Sequence, residues 1–244
     1  GESGLGIRMF SAIASTFSAD VTLTGTGTLL NRPMQPIADA LVQLGATCIT
    51  SSGFLPITVK GPINGGVANI DGSQGSQVLT GLLVASPLAK HDVTIRAAQL
   101  KSVPYVRLTI QVMHDFGVEV DVKSDIDFHV RASQRYVPCS YNVEGDWSGA
   151  AFMLVAGATA GELKVKNLNP SSLQADRVIV DALVMAGATV DVEENSVYVK
   201  RNKLSHFEFD ATNCPDLFPP LVALASHCDG ESKILGVSRL RVKE

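Results

Sequence analysis

Hydrophobic and polar positions along the chain fall into two alternating helical phrases, separated by short strand-like runs. The first phrase is apolar nearly all round and opens on small polar residues. Gly1-Glu2-Ser3-Gly4 opens a helix from Ile7 to Phe17, and Gly72 to Gln77 opens one reaching about Leu88. Gly145-Asp146-Trp147-Ser148-Gly149 opens Ala150 to Ala158, and Asn213-Cys214-Pro215-Asp216 opens a run to about Ser226. These starts recur roughly every 70 residues, at the long end of the range for supersecondary repeats. The second phrase is amphipathic, with apolar residues at i, i+3, i+4 and i+7, and it ends on a glycine followed by a strand. It reads Ile37 to Gly45, Leu108 to Gly117 and Val178 to Gly187. Each glycine stands where a left-handed helix cap belongs.

β-rich strips follow each amphipathic phrase, at Ile57 to Val59, Phe128 to Val130 and Val197 to Val199. Further strands are predicted at Val21 to Leu23, Val67 to Ile70, Val93 to Ile95, Leu163 to Val165 and Phe207 to Phe209. Each repeat thus holds two helices and about four strands. The nearly apolar helix is expected to be buried, and the amphipathic one to face water on one side. Short, alternating strands favour mixed sheets over a doubly wound parallel sheet, so the class is α/β with α+β-type mixed sheets. Turn residues between Arg135 and Val143 predict a boundary there, giving domains 1–142 and 143–244.

The helix starts bring in chemistry. The strand ending at Ile70 delivers Asp71-Gly-Ser-Gln-Gly-Ser-Gln77 straight into an apolar helix. Uncovered N–H groups and the helix dipole point the same way there, which makes an anion site. A single copy reads as a Ser N-cap on an ordinary buried helix; repetition is what favours the anion reading. Composition narrows the classes further. With 244 residues, 45% hydrophobic, 18% charged and net −4, the chain suits one large domain or two medium ones. No basic run or basic-aromatic block is present, which argues against nucleic-acid binding. No uninterrupted apolar run reaches membrane-span length, and no signal-peptide pattern opens the sequence. Cys48, Cys139, Cys214 and Cys228 stand far apart with no CxxC, and read as reduced thiols of a cytoplasmic protein. The five histidines lack metal-ligand spacing, so no metal is expected. Both ends read as cut: Gly1 begins in what should be a loop before a helix, and Glu244 closes inside a charged segment. The chain is expected to be a fragment.

Four motifs then stand in order: Gly25-Thr-Gly-Thr-Leu-Leu-Asn-Arg32-Pro33-Met34, Asp71-Gly-Ser-x-x-Ser76-Gln77-x-Leu79, Lys101-Ser102-Val-Pro104-Tyr105, and the pair Pro215-Asp216 with Leu240-Arg-Val-Lys243-Glu244. Together, and on this repeat, they resemble the 5-enolpyruvylshikimate-3-phosphate synthase family of enolpyruvyl transferases, over nearly the whole chain. The resemblance implies an inside-out α/β barrel fold of βαββαβ repeats in two domains, with helix N-termini aimed at the cleft between them. Residues 1–142 would be most of the shikimate-phosphate-binding domain, and 143–244 the first part of the other. The implied reaction moves the enolpyruvyl group of phosphoenolpyruvate to the 5-hydroxyl of shikimate 3-phosphate and releases phosphate. By the same resemblance, Ser76, Gln77, Ser102, Tyr105, Asp216 and Lys243 would hold shikimate 3-phosphate. Gly4, Arg8, Arg32 and Gln77 would hold phosphoenolpyruvate, and Asp216, Glu244 and Lys243 would be catalytic. The implied partners are these two small molecules alone, with no organic cofactor, no nucleic acid and no membrane; the complete enzyme would be a cytoplasmic monomer. Both substrates are anionic while the chain is net acidic, so binding must rest on placed donors.

Other readings remain for the single residues. Arg32 before Pro33 reads alone as a helix-start residue with proline at N1, Ser102 to Pro104 as a turn, Tyr105 as a half-buried aromatic, and Lys243-Glu244 as a solvated pair. The sequence also departs from the family pattern. Glu2-Ser3-Gly4-Leu5 stands where Asn-(Ala or Ser)-Gly-Thr is usual, Gly75 replaces a serine, and Arg239 stands where an asparagine is common. Glu2 would put an extra carboxylate near phosphoenolpyruvate and weaken anion binding. With the hydroxyl lost at Leu5, it gives weight to a homologue that binds without turnover, against which Asp216, Lys243 and Glu244 count. The related transferase acting on UDP-N-acetylglucosamine carries a cysteine in the loop before the arginine-proline motif, and Gly25 to Asn31 holds none.

Overall fold

The computed structural model describes residues 1–242, and the chain divides between Cys139 and Ser140 into two compact units. The first unit opens with α1 (Gly4–Ala14), β1 (Val21–Leu23), a 3-10 turn (Gly27–Asn31) and α2 (Gln35–Gln43). A hairpin of β2 (Thr47–Ser51) and β3 (Phe54–Lys60) follows, then β4 (Gly66–Asp71), α3 (Gln77–Ala85), β5 (Val93–Ala98) and α4 (Val103–Asp115). A second hairpin, β6 (Asp121–Ser124) and β7 (Asp127–Val130), closes it. The second unit runs α5 (Trp147–Ala160), β8 (Glu162–Lys166), α6 (Ile179–Met185), the hairpin β9 (Thr189–Glu193) and β10 (Ser196–Lys200), β11 (Glu208–Asp210), α7 (Phe218–Ala225) and β12 (Lys233–Leu235).

The repeat read from the sequence becomes one topology used three times. In each case a strand precedes the amphipathic helix and pairs antiparallel with the second strand of the hairpin that follows it. The sheet orders are β1-β3-β2, β5-β7-β6 and β8-β10-β9. β4 joins the second sheet parallel to β5, which makes that sheet mixed, and β11 pairs parallel with β12. The three amphipathic helices end alike. Gly45, Gly117 and Gly187 sit at φ +88°, +81° and +91°. The next residue's N–H reaches back into the last turn each time: Ala46 to Leu41, Val118 to Met113 and Ala188 to Leu183, at 3.0, 2.9 and 3.0 Å. This closes otherwise orphaned carbonyls, and only glycine adopts the required backbone without a Cβ penalty.

Element boundaries move where capping chemistry decides them. α1 starts three residues before Ile7, because the Ser3 hydroxyl accepts the Gly6 N–H at 3.0 Å. α3 stops at Ala85 and tightens into a 3-10 turn over Ser86–Leu88, where Pro87 has no N–H to give. α2 starts at Gln35 with Pro36, not Pro33, in its first turn. Arg32 is extended, φ −95° and ψ 133°, as a residue before proline prefers.

Burial follows the pattern for α3, where Leu79, Leu82 and Leu83 are sealed, together with Ile37 and Leu41 from α2 and Ile95 from β5. The expectation that every apolar helix is buried fails elsewhere. Phe10 of α1 and Phe152 and Met153 of α5 are each more than half exposed. α1 is covered chiefly by α3, and α5 by β8, β10 and α7, so one face of each stays open. Among the described residues no helix is long and apolar enough to cross a membrane.

Candidate active site

In the first unit, parallel pairing of β4 with β5 sets Asp71 opposite Ala98. The two loops that leave these strand ends therefore run side by side and open α3 and α4 next to each other. Backbone bonds tie them: Gly72 N–H to the Ala98 carbonyl at 2.8 Å, and Lys101 N–H to the Gly72 carbonyl at 3.1 Å. The Asp71 carboxylate folds back onto its own loop and accepts the Ser73 N–H at 2.8 Å. The Ser73 backbone and hydroxyl together hold its pKa below the ordinary value. Ser76 is buried at the N-cap of α3, yet its side chain makes no cap bond, so the simple N-cap reading of this serine is not realised. Ser102 is buried at the start of α4 with left-handed backbone, φ 57° and ψ 39°. A non-glycine residue held there costs of order 1–2 kcal/mol, and such positions cluster at functional sites. Tyr105 lies in the first turn of α4, its carbonyl accepting the Thr109 hydroxyl at 2.8 Å; Thr109 in turn meets Thr80 of α3 at 3.2 Å.

The expected phosphoenolpyruvate residues converge within this unit. Arg8, in the second turn of α1, donates from Nη1 to Gln77 Oε1 at 2.7 Å, at the first residue of α3. Its Nη2 reaches the Pro33 carbonyl ahead of α2 at 3.3 Å. The starts of α1, α2 and α3 are thereby brought to one place. Gly4 lies against both guanidinium groups: a Cβ there would stand 2.5 Å from Arg32 Nη1 and 3.1 Å from Arg8 Nη1. Two guanidinium forks beside a helix start and an amide side chain make a site for a compact dianion, because guanidinium geometry matches phosphate and carboxylate oxygens in pairs.

Asp216 belongs to the second unit. It sits in a 3-10 turn, Pro215–Leu217, that leads directly into α7, rather than on the helix itself. Beside it, Cys214 is buried and its thiol pKa is pushed up to about 12, by burial first and then by the carboxylates of Asp176, Asp210 and Asp216. The start of α5 is organised by residues not singled out from the sequence. Asp146 accepts the N–H groups of Ser148 and Gly149, both at 3.0 Å. The buried Asp176 accepts the Ser148 hydroxyl. Gln174 Oε1 accepts the Trp147 N–H at 2.9 Å, while its Nε2 donates to Glu144 at 2.9 Å. This helix start is thus covered by protein carboxylate. The Asp146 cap had a local signal, an Asp four residues before the expected helix start at Ala150, although α5 itself begins at the next residue, Trp147. The Asp176 contact had no local signal, since its partner lies 28 residues away. Lys243 and Glu244 lie outside the described residues, as does the side chain of Arg239.

The fold is shared with a known structure: the chain aligns over 100% of its length with EPSP synthase from Acinetobacter baumannii, TM-score 0.78 at 23% identity, covering 57% of that chain. The family model for EPSP synthase (3-phosphoshikimate 1-carboxyvinyltransferase) matches residues 1–244, and the chain belongs to that family. Among relatives, the 3-phosphoshikimate 1-carboxyvinyltransferase of Methanocorpusculum labreanum is 40% identical over 243 residues, covering 99% of this chain and 57% of that protein. The enzyme of the same name from Clostridium kluyveri is 37% identical over 244 residues, covering 100% of this chain and 57% of that protein. The chain therefore spans little more than half the length of the relatives it matches.

Proposed function

We propose that the chain is part of a longer enzyme that joins phosphoenolpyruvate to shikimate 3-phosphate and releases phosphate. The observation that carries this reading is the convergence of Gly4, Arg8, Arg32 and Gln77 at three helix starts, in a chain whose family is established. Residues 1–142 serve as most of the shikimate-phosphate-binding domain, and 143–244 as the first part of the other. Ser76, Gln77 and Ser102 hydrogen-bond shikimate 3-phosphate, Tyr105 flanks its ring, and Asp216 and Lys243 contact it as well. Arg8 and Arg32 clamp phosphoenolpyruvate, with the Gly4 backbone close by.

The reaction runs as addition and then elimination. The 5-hydroxyl oxygen bonds to the substituted carbon of phosphoenolpyruvate. Asp216 takes the hydroxyl proton, and Glu244 delivers a proton to the methylene carbon, which becomes methyl. Glu244 then takes a proton back from that methyl group, the carbon–oxygen bond to phosphate breaks, the double bond re-forms, and the hydroxyl proton held by Asp216 leaves with the phosphate, which returns both carboxyl groups to their starting states. Lys243 stabilises the anionic oxygens, and two carboxylates in different surroundings divide the acid and base work. No metal or organic cofactor enters the scheme. Among the described residues the cysteines are free thiols, which supports a reducing, cytoplasmic setting; we assign the complete enzyme as a monomer.

The test is phosphate release by the full-length protein. Release is expected only with both substrates present, and not when UDP-N-acetylglucosamine replaces shikimate 3-phosphate. Glu244→Gln is expected to cut turnover by roughly 10²–10⁴-fold with binding nearly unchanged. No release with both substrates, or equal release with the nucleotide sugar, refutes the assignment.

A further inference from the structure

We propose that Glu2 is a positioning residue for the phosphoenolpyruvate end of the site, acting on Arg32 through residues 25–32; this rests on the function proposed above. The Glu2 side chain does not stand as a bare charge beside an anion site. Its Oε2 accepts the Thr28 N–H at 3.1 Å and the Thr28 hydroxyl at 3.3 Å, at the start of the 3-10 turn Gly27–Asn31. One residue earlier, the Gly1 carbonyl accepts the Thr26 N–H at 3.1 Å. Residues 1 and 2 are therefore zipped to residues 26–28. A carboxylate accepting the first N–H groups of a helical turn satisfies orphan donors with favourable charge.

The lock is built for this carboxylate. Gly27 takes a left-handed backbone, φ +59°, and a Cβ on it would lie 2.2 Å from Glu2 Oε2. Any other residue at 27 would meet both a conformational penalty and the Glu2 carboxylate. Downstream, Leu29 is buried, and the Arg32 N–H closes on the Leu29 carbonyl at 3.1 Å, so the 3-10 turn ends directly at the arginine. Upstream, Glu2 lies two residues before Gly4, whose backbone meets the Arg32 guanidinium. Glu2 thus joins the loop that supplies Gly4 to the turn that delivers Arg32, and sets the two sides of the anion site relative to each other. The family pattern places an asparagine here; the glutamate reaches the Thr28 N–H and hydroxyl with one ionised oxygen.

The experiment compares wild type, Glu2→Ala and Glu2→Gln in the full-length protein, measuring KM for each substrate, kcat and melting temperature. Glu2→Ala is expected to raise KM for phosphoenolpyruvate about tenfold, the loss of one charge-assisted hydrogen bond. KM for shikimate 3-phosphate should stay within about twofold. Glu2→Gln retains an acceptor for the Thr28 N–H and should recover most of the loss; it also serves if the alanine variant folds poorly. An unchanged KM for phosphoenolpyruvate in Glu2→Ala overturns the proposal. So does a lowered one, which would mean that the carboxylate repels the substrate. A parallel rise in both KM values with a fallen melting temperature reduces Glu2 to a structural contact and overturns it too. Wild-type turnover alongside any of these results leaves the function intact; absent wild-type turnover fails both readings.

Discussion

Gly4→Ala separates binding geometry from fold stability at the guanidinium pair. The added Cβ would lie 2.5 Å from Arg32 Nη1 and 3.1 Å from Arg8 Nη1. Ordinary contact lies at roughly 3.5 Å, so Arg32 must retreat by about 1 Å and Arg8 by about 0.4 Å. Both contacts are to the far ends of flexible side chains, so the backbone need not shift. Gly4 is the first residue of α1 and carries no positive φ, and alanine there costs less conformational entropy than glycine, by up to about 1 kcal/mol. The melting temperature should therefore hold or rise slightly. Binding should move the other way. A misplacement of about 1 Å in a positioning group can cost up to about 10²-fold, so KM for phosphoenolpyruvate should rise by about 10- to 100-fold in the full-length protein. KM for shikimate 3-phosphate should change by less than about threefold. Steady-state phosphate release with each substrate varied in turn, together with a thermal melt, reads all three quantities. An unchanged KM for phosphoenolpyruvate in a stably folded Gly4→Ala protein would refute the placement of that substrate against Arg32 and Arg8.

Three further outcomes are expected. Gln77→Ala removes the acceptor that orients Arg8 at 2.7 Å and should raise KM for both substrates by roughly tenfold; no change in either KM would show that the amide is only structural. Ser102→Gly relieves left-handed strain, so it should melt within about 3 °C of wild type while KM for shikimate 3-phosphate rises roughly tenfold from the lost hydroxyl; native affinity would remove Ser102 from the site. Burial raises the thiols of Cys48 to about 11 and Cys214 to about 12, from 9.0, and the Tyr136 phenol to about 12 from 10.0. Raised folded-state values stabilise the fold below the unfolded values and lose that contribution as pH climbs from about 9 towards 12, so denaturant midpoints should fall across that window. Cys214→Val should flatten part of the fall, and iodoacetamide at pH 8 should label exposed Cys139 before buried Cys214.

The repeat, the class of sheet and the glycine caps could all be read from residues near in sequence, because each is decided locally. Helical periodicity and the Gly45, Gly117 and Gly187 positions are set by backbone sterics and by which face is apolar. The helix starts were placed to within a few residues; Ser3 and Pro87 then moved the ends, since a single side-chain cap or a missing N–H outweighs propensity there. What the pattern could not show was which apolar faces find cover. Phe10, Phe152 and Met153 stay open despite their composition, because burial depends on which elements pack against a helix. The site divides the same way. Sequence order named Gly4, Arg8, Arg32 and Gln77 only through family motifs. The bond from Arg8 to Gln77 spans 69 positions, and the contact of Gly4 with Arg32 spans two elements. Glu2 divides in the same way: along the chain it reads as an extra charge beside an anion site, while its hydrogen bond with Thr28, 26 residues away, is visible only in the fold. Such pairs carry no periodic signal, and only packing of α1 against α3 and the return of the chain through the 3-10 turn bring them within hydrogen-bond reach.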